Sequence, residues 1–367
     1  MAVIATVRDE ARDPRVALTP DVVRQLVAKG HEVLIEKGAG AAAGWRDVDY
    51  VDAGAQISAG TAAAKKADVV VSIGRPPAAV LSALRPGAVV VGLLEPWGDT
   101  SDLDRAVERG VHVLAMERLP RQLSRAQSMD VLTSQASIAG YRAVLVAAHS
   151  YGRYLPMMVT AAGTAKPASV LVLGAGVAGL QAIATARRLG ARVTAYDVRP
   201  AARDEIASLG AAFLDLGVSA AGEGGYAREL TKEEAQAQRE ALSAAIADFD
   251  IVIATAKVPG RTPPLLVPAS ALSAMKPGSV VVDLAASELG GNVAGSQDGQ
   301  TLVTPRGVTV IGAGAIAAEM APAASDAYAR NMLAVIEALT PDGELAVNED
   351  DEVVGALSLS TREEAAA

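Results

Sequence analysis

Three glycines occupy the first, third and sixth places of Gly174-Ala175-Gly176-Val177-Ala178-Gly179, and Asp197 closes the next apolar run. This set could hold the phosphates and ribose of a nucleotide. Gly174 allows a tight turn, Gly176 lets backbone come close to a pyrophosphate, and Gly179 lets a helix pack on the preceding strand. The helix N-terminus adds unpaired N–H groups and a partial positive charge. A carboxylate at Asp197 would accept both ribose hydroxyls and repel a 2′-phosphate, which favours NAD(H) over NADP(H). A second concentration of chemistry is Pro120–Asp130, PRQLSRAQSMD, polar within a largely apolar chain. Gln127 and Asp130 can hydrogen-bond a ligand there. By residue type alone, the stretch equally fits a solvated loop ending in a helix cap.

The glycines need a strand before them and a helix after. Val170–Leu173 is an apolar run suited to a buried strand, the alanine-rich helical pattern stops at Gly190, and Arg192–Tyr196 is the next strand. Further strands are expected at Ala2–Thr6, Glu32–Ile35, Val69–Ile73, Ala88–Leu93 and Val111–Leu114. Between them lie helices such as Ser101–Arg109 and one capped by Thr19 and opened by Pro20. Strands alternating with helices at this spacing imply parallel βαβ units. The expected fold is α/β, with two doubly wound parallel-sheet (Rossmann-like) domains joined by long helices and a cleft between them. Residues 1–134 with 326–367 form the first domain and residues 135–325 the second. A helix over Ser134–Tyr154 bridges them. Another, Ser325–Leu339, returns to the first domain, because Tyr328, Met332, Ile336 and Leu339 form an apolar face that needs a partner. In the second domain a helix around Arg203–Leu209 and strands at Ala212–Leu214, Ile251–Ala254, Ser279–Leu284 and Val308–Ile311 are expected, with a helix at Pro268–Met275. Ser219–Gly225 and the polar Tyr226–Gln238 read as a long insertion, a kind of loop that tends to be functional. Val353–Leu359 reads as an edge strand.

Composition narrows the function. The chain of 367 residues is 51% hydrophobic but only 3% aromatic, which suits close-packed helices on parallel sheets. It has no cysteine, so disulfides and thiolate chemistry are excluded. His31, His112 and His149 lack metal-ligand spacing, so no metal is expected. A net charge of −9 argues against nucleic acid or an anionic membrane as partner. No uninterrupted apolar run reaches the ~18 residues of a membrane span, and the N-terminus lacks the order of a secretory signal. The expectation is a cytoplasmic protein with no direct membrane span.

Several longer blocks resemble a known family. Asp13-Pro14-Arg15-Val16-Ala17-Leu18-Thr19-Pro20 resembles the N-terminal signature shared by alanine dehydrogenases and the NAD(H)-binding component of proton-translocating transhydrogenases. Ser124-Arg125-Ala126-Gln127-Ser128-Met129-Asp130, Ser134-Gln135 and Ala139-Gly140-Tyr141-Arg142-Ala143 resemble the transhydrogenase branch. So do Met158–Thr164, Gly224-Gly225-Tyr226-Ala227 and Met275-Lys276-Pro277-Gly278-Ser279. The similarity runs from Ala2 to Leu339. It implies NAD(H) held by the second domain and hydride transfer to NADP+ on a different subunit, coupled to proton movement through a membrane component. It also implies a homodimer docked on membrane-embedded and NADP(H)-binding subunits, peripheral on the inner face of the membrane. Residue by residue, the family's loop beside the nicotinamide matches Gln127 and Asp130, with Arg121 as the arginine ahead of it. Thr133 matches the family's serine near the carboxamide, and Gly224, Gly225 and Tyr226 its mobile lid. The cofactor-binding set is then Arg121, Thr133, Gly174, Ala175, Gly176, Val177, Ala178, Gly179, Asp197, Val198, Arg199, Gly225 and Tyr226, with Gln127 and Asp130 at the reacting ring.

Departures separate the branches. The Lys-x-Lys-Glu-Pro segment of alanine dehydrogenases becomes Ser72-Ile73-Gly74-Arg75-Pro76, and their histidine becomes Glu95. Reducing a keto acid needs a proton donor at the carbonyl oxygen, and a glutamate would repel a substrate carboxylate. Alanine oxidation therefore reads as lost. Gly312-Ala313-Gly314-Ala315-Ile316-Ala317 replaces a His/Asn/Pro-containing turn of the transhydrogenases. Arg15 either binds a carboxylate, as in the dehydrogenases, or pairs with a nearby acid. An amino-acid dehydrogenase with altered acid/base chemistry and a non-catalytic NAD(H)-sensing module are the alternative functions.

Overall fold

The computed structural model describes residues 1–9, 11, 13–217, 231–257 and 260–360. The chain divides into two units, Met1–Gln135 with Ala318–Ala367, and Ala136–Ala317.

The first unit alternates β1 (Val3–Thr6), α1 (Pro20–Ala28), β2 (Glu32–Glu36), α2 (Asp47–Asp52), β3 (Gln56–Ser58), α3 (Gly60–Lys66), β4 (Val69–Val71), α4 (Ala78–Ala83), β5 (Val89–Gly92), α5 (Ser101–Glu108) and β6 (His112–Ala115). The six strands pair in parallel in the order β3-β2-β1-β4-β5-β6. Such a sheet is covered on both faces, so its strands read as unbroken apolar runs. Val69, Val71, Val89 and Val91 belong to one core and Val70 and Val90 to the other, as the two-residue period of a strand requires. Thr19 occupies the N-cap of α1 in extended conformation, but its hydroxyl makes no capping hydrogen bond. Pro20 at the first turn carries the start instead.

The bridging helix α6 (Val131–Ser150) begins earlier and ends sooner than its apolar periodicity suggests. The carboxylate of Asp130 accepts the Thr133 N–H at 2.9 Å and so starts the helix. With twenty residues and a mean hydropathy of 1.2, it is the one helix among the described residues long and apolar enough to cross a membrane. Its buried residues are used in protein cores: Val131 in the first unit, Ala143, Val144 and Ala147 in the second.

The second unit opens with an antiparallel hairpin, β7 (Met158–Thr160) and β8 (Gly163–Ala165). It continues with β9 (Ser169–Leu173), α7 (Val177–Arg188), β10 (Arg192–Tyr196), α8 (Ala202–Ser208), β11 (Ala212–Phe213), α9 (Lys232–Ile246), β12 (Ile251–Ala254), α10 (Ala269–Ala274), β13 (Val280–Asp283), β14 (Thr301–Val303) and β15 (Thr309–Gly312). Seven strands order as β11-β10-β9-β12-β13-β15-β14, with β14 alone antiparallel. Of the expected insertion, residues 232–238 are the start of α9 and not loop, while residues 219–230 lie outside the described residues. Thr231 and Glu234 form a capping box, and only Gln238, Leu242 and Ile246 are buried. One buried position per turn, the first of them Gln238, leaves a sequence that looks polar throughout.

Two helices return to the first unit, α11 (Ala321–Leu339) and α12 (Glu352–Leu357). Tyr328, Met332, Ile336 and Leu339 all enter the first unit's core. The expected edge strand at Val353–Leu359 is a short helix instead, because Asp351 caps it through the N–H groups of Val353 and Val354. Only its end meets the sheet, where Ser358 bridges Leu114 and the Leu359 N–H donates to the Val113 carbonyl at 2.9 Å.

Candidate functional site

In the second unit the glycine turn joins β9 to α7. Gly174 adopts φ +96°, a region that favours glycine. A Cβ on Gly179 would lie 1.8 Å from the Gly174 carbonyl oxygen, so only glycine lets the helix start this close to the turn. A Cβ on Gly176 would meet nothing within 4 Å, and Gly176 and Val177 are exposed. That open face at a helix N-terminus is where a pyrophosphate could approach backbone. Ala175 is buried, Ala178 half-buried. Two neighbours hold the turn. The Thr255 hydroxyl donates to the Leu173 and Gly174 carbonyls at 3.1 and 3.0 Å. The helix α6 passes close at Gly140, where a Cβ would lie 2.1 Å from the Ala178 carbonyl oxygen. A glycine inside a strongly apolar helix was the sequence signal for that close crossing.

Asp197 ends β10 beside this turn. Its Oδ2 accepts the Ala175 N–H at 2.8 Å and Arg199 Nη2 at 3.0 Å, while Oδ1 accepts the Arg199 N–H and Nε at 2.8 and 3.0 Å. The carboxylate is thus engaged by Ala175 and Arg199. Ribose hydroxyls would take the places of that side chain. The hydrogen bond that Arg199 donates to Asp197, ahead of the carboxylate's charge, raises the Arg199 pKa above its ordinary value. Val198 is half-buried against the core that includes Leu171 and Val252. The turn Gly312–Ala317 follows β15 as close-packed backbone: a Cβ on Gly314 would lie 1.9 Å from the Ala286 carbonyl oxygen, and one on Gly312 would lie 1.8 Å from that of Gln297. Gly224, Gly225 and Tyr226 lie outside the described residues.

The polar stretch of the first unit is a 3-10 turn, Ser124–Met129. Ala126 and Met129 anchor it in the core. Gln127 is exposed and its side chain makes no hydrogen bond among the described residues. Asp130 is buried at the end of the turn, with Oδ2 accepting the Thr133 hydroxyl at 2.7 Å. The cap and the polar loop are therefore one feature. Thr133 and Arg121 are both half-buried.

Arg15 pairs with a nearby acid. It donates from Nε and Nη2 to the two oxygens of Asp13 at 2.9 and 2.6 Å, and from Nη1 to Gln135 Oε1 at 2.7 Å. Burial works against its charge, but Asp13 outweighs that and the pKa stands above the ordinary arginine value. Arg75 is likewise occupied, by Asp102 at 3.2 Å and by the Leu94 carbonyl at 2.9 Å. Glu95 has φ +51°, the only non-glycine residue in the left-handed region among the described residues. Its N–H donates to Glu117 Oε1 at 2.7 Å. Burial pushes the Glu117 carboxyl up, and its Oε2 is buried without a partner among the described residues. Sequence reading missed Glu117, because a lone glutamate after a strand resembles any surface acid.

Comparison with known proteins places the chain in a family. The alanine dehydrogenase/PNT N-terminal domain family matches residues 6–139 and the C-terminal domain family residues 143–365. The NAD(P) transhydrogenase subunit alpha of Cereibacter sphaeroides is 43% identical over 349 residues, covering 93% of this chain and 66% of that protein. The chain thus spans just under two thirds of that relative's length. In Rickettsia prowazekii, the protein that is the first part of an NAD(P) transhydrogenase subunit alpha is 39% identical over 363 residues, covering 96% of this chain and 93% of that protein. A solved transhydrogenase from Sinorhizobium meliloti superposes with a TM-score of 0.85 at 44% identity, over 97% of this chain and 98% of that chain. The two Rossmann-like units, the glycine turn and the matched blocks lead to one conclusion: the chain belongs to the alanine dehydrogenase/PNT family and, within it, to the NAD(P) transhydrogenase alpha subunits.

Proposed function

We propose that this chain is the NAD(H)-binding alpha subunit of a proton-translocating transhydrogenase, passing hydride between NADH and NADP+ held on a partner subunit. The observation that carries the reading is the turn Gly174–Gly179, open at Gly176, with Asp197 hydrogen-bonded to its backbone. These residues fit a dinucleotide. The turn from Gly174 to Gly179 would take the pyrophosphate, and Asp197, Val198 and Arg199 would line the adenosine ribose. Bound NADH would supply the hydride from its nicotinamide ring. Gln127 and Asp130 would orient that ring, with Arg121 and Thr133 at its carboxamide side, while Gly225 and Tyr226, matched to the family's lid, lie outside the described residues. Direct transfer between two nicotinamides exchanges no proton at carbon, so the protein's task is positioning and exclusion of water.

The cations of the first unit support this over an amino-acid dehydrogenase. Arg15 and Arg75 are both engaged by acids and carbonyls, which leaves neither ready for a substrate carboxylate. We further propose a homodimer that sits on the inner face of the membrane through membrane-embedded subunits, which carry the proton path. The hairpin β7–β8 supports a protein partner: Met157 and Val159 are 61% and 70% exposed, and a two-stranded hairpin is marginal in water alone.

The test is reconstitution with a soluble NADP(H)-binding transhydrogenase component. Reduction of an NAD+ analogue by NADH, dependent on NADP(H) and lost in Gln127→Ala, is the expected result. NADH binding without exchange would overturn the proposal in favour of a sensing module. NADH oxidation by a keto acid and ammonia without a partner would point to an amino-acid dehydrogenase.

A further inference from the structure

The turn that carries Gln127 is tied down from the C-terminal part of the chain. Arg125 Nη1 donates to Asp351 Oδ2 at 2.6 Å, and Asn331 Nδ2 donates to the Ser128 carbonyl at 2.7 Å. Asp351 is used twice. Its other oxygen accepts the N–H groups of Val353 and Val354 at 2.9 and 3.1 Å, so one carboxylate starts α12 and holds the loop. The hydrogen bond from Arg125 keeps the Asp351 carboxyl below the usual carboxylate range.

The rest of the segment is anchored at its ends. Glu349 lies 3.2 Å from His112, and Arg118 donates to the Ser358 carbonyl. Under α12 lies a cavity of about 210 Å³ lined by Leu114, Met129, Val335, Leu339, Val354 and Leu357, together with Arg125 and Asp351. Walls facing a void forgo dispersion contacts, so the polar ties add to the anchoring that Ala126 and Met129 give the turn. As a partly exposed ion pair, Arg125–Asp351 adds little stability. Its consequence is geometric.

We infer that Asp351 and Arg125 are positioning residues for hydride transfer: through them the C-terminal segment sets the backbone that carries Gln127. The inference rests on the function proposed above. A shift of about 1 Å in a positioning group can cost about a hundredfold in rate, so a small loosening of the turn is measurable.

The experiment uses the full chain in the cyclic exchange assay. Asp351→Asn keeps the helix cap, since asparagine caps as well as aspartate, and removes the charge. Arg125→Met removes the other partner, and Arg125→Lys restores a cation. Expected are falls in kcat of about fivefold to tenfold for Asp351→Asn and Arg125→Met, with the KM for NADH unchanged and the Tm within about 2 °C of wild type. Arg125→Lys should recover more than half of the rate, and the double variant should be no worse than either single one. An unchanged kcat in folded Asp351→Asn overturns the inference, as does a loss expressed in KM alone. Should Arg125→Met fail to fold, Asp351→Asn decides by itself. Wild-type chain without exchange overturns the proposed function, and this inference with it. Wild-type exchange with unaltered variants overturns this inference only.

Discussion

The two units repeat one topology and treat its crevice in opposite ways. In each, the first strand lies where the strand order reverses, β1 between β2 and β4, and β9 between β10 and β12. Open α/β sheets bind ligands at that point. Beyond β9 the chain turns at once on glycines and leaves a helix N-terminus open. Beyond β1 it runs a long way to α1, and charged side chains fill the space. Asp9 Oδ1 accepts the Asp13 N–H at 2.8 Å, Asp13 takes Arg15, and a Cβ on Gly74 would meet Asp9 Oδ2 at 2.8 Å. The fold supplies the crevice twice. The side chains at the first turn decide whether it stays open or is filled.

The most severe way to break the contrast is Gly179→Val. The new side chain must displace the Gly174 carbonyl, so stability should fall by about 3 kcal/mol or more, with NADH binding lost, read by calorimetric melting and titration. Arg15→Met is the counterpart in the first unit. Breaking this half-buried pair strands Asp13 and should cost about 2 kcal/mol, while any folded protein keeps wild-type NADH affinity by titration. An equal loss of affinity would mean that the first crevice also binds. Gly176→Ala sharpens the contrast, because space exists for the methyl group but not for methyl and phosphate together. NADH affinity should drop roughly tenfold, about 1.4 kcal/mol, with Tm within about 2 °C of wild type.

The smallest effect is one of pH. Asp351 has a folded pKa below its unfolded value, so its contribution is full above the ordinary carboxylate range and is lost as pH falls through the folded value. The Tm gap between wild type and Asp351→Asn, worth under ~1 kcal/mol at neutral pH, should therefore close on acidification. A gap that persists in acid would assign the effect to the cap and not to the ion pair.

Most of the second unit's glycine turn was legible because its determinants are local. Glycine spacing, the apolar run before it and an acid at the end of the next strand all follow from backbone conformation and period. The same holds for the buried strands, whose valine runs announce two covered faces, and for α11, whose apolar stripe demanded a partner. Where polarity was misleading the reading failed: α9 buries one residue per turn, and α12 is a helix because Asp351 caps it, although its valines favour a strand.

Two α/β units, the glycine turn and the family can thus be read from the chain's residues alone, since each rests on short-range pattern. Which charges are spent is a property of the folded molecule. That Arg199 occupies Asp197, that Arg15 serves Asp13 and Gln135, and that Asp351 holds Arg125 across the chain are matters of distance between segments. A charge's partner is whatever folding brings within a few ångströms, and no periodicity in the sequence records it.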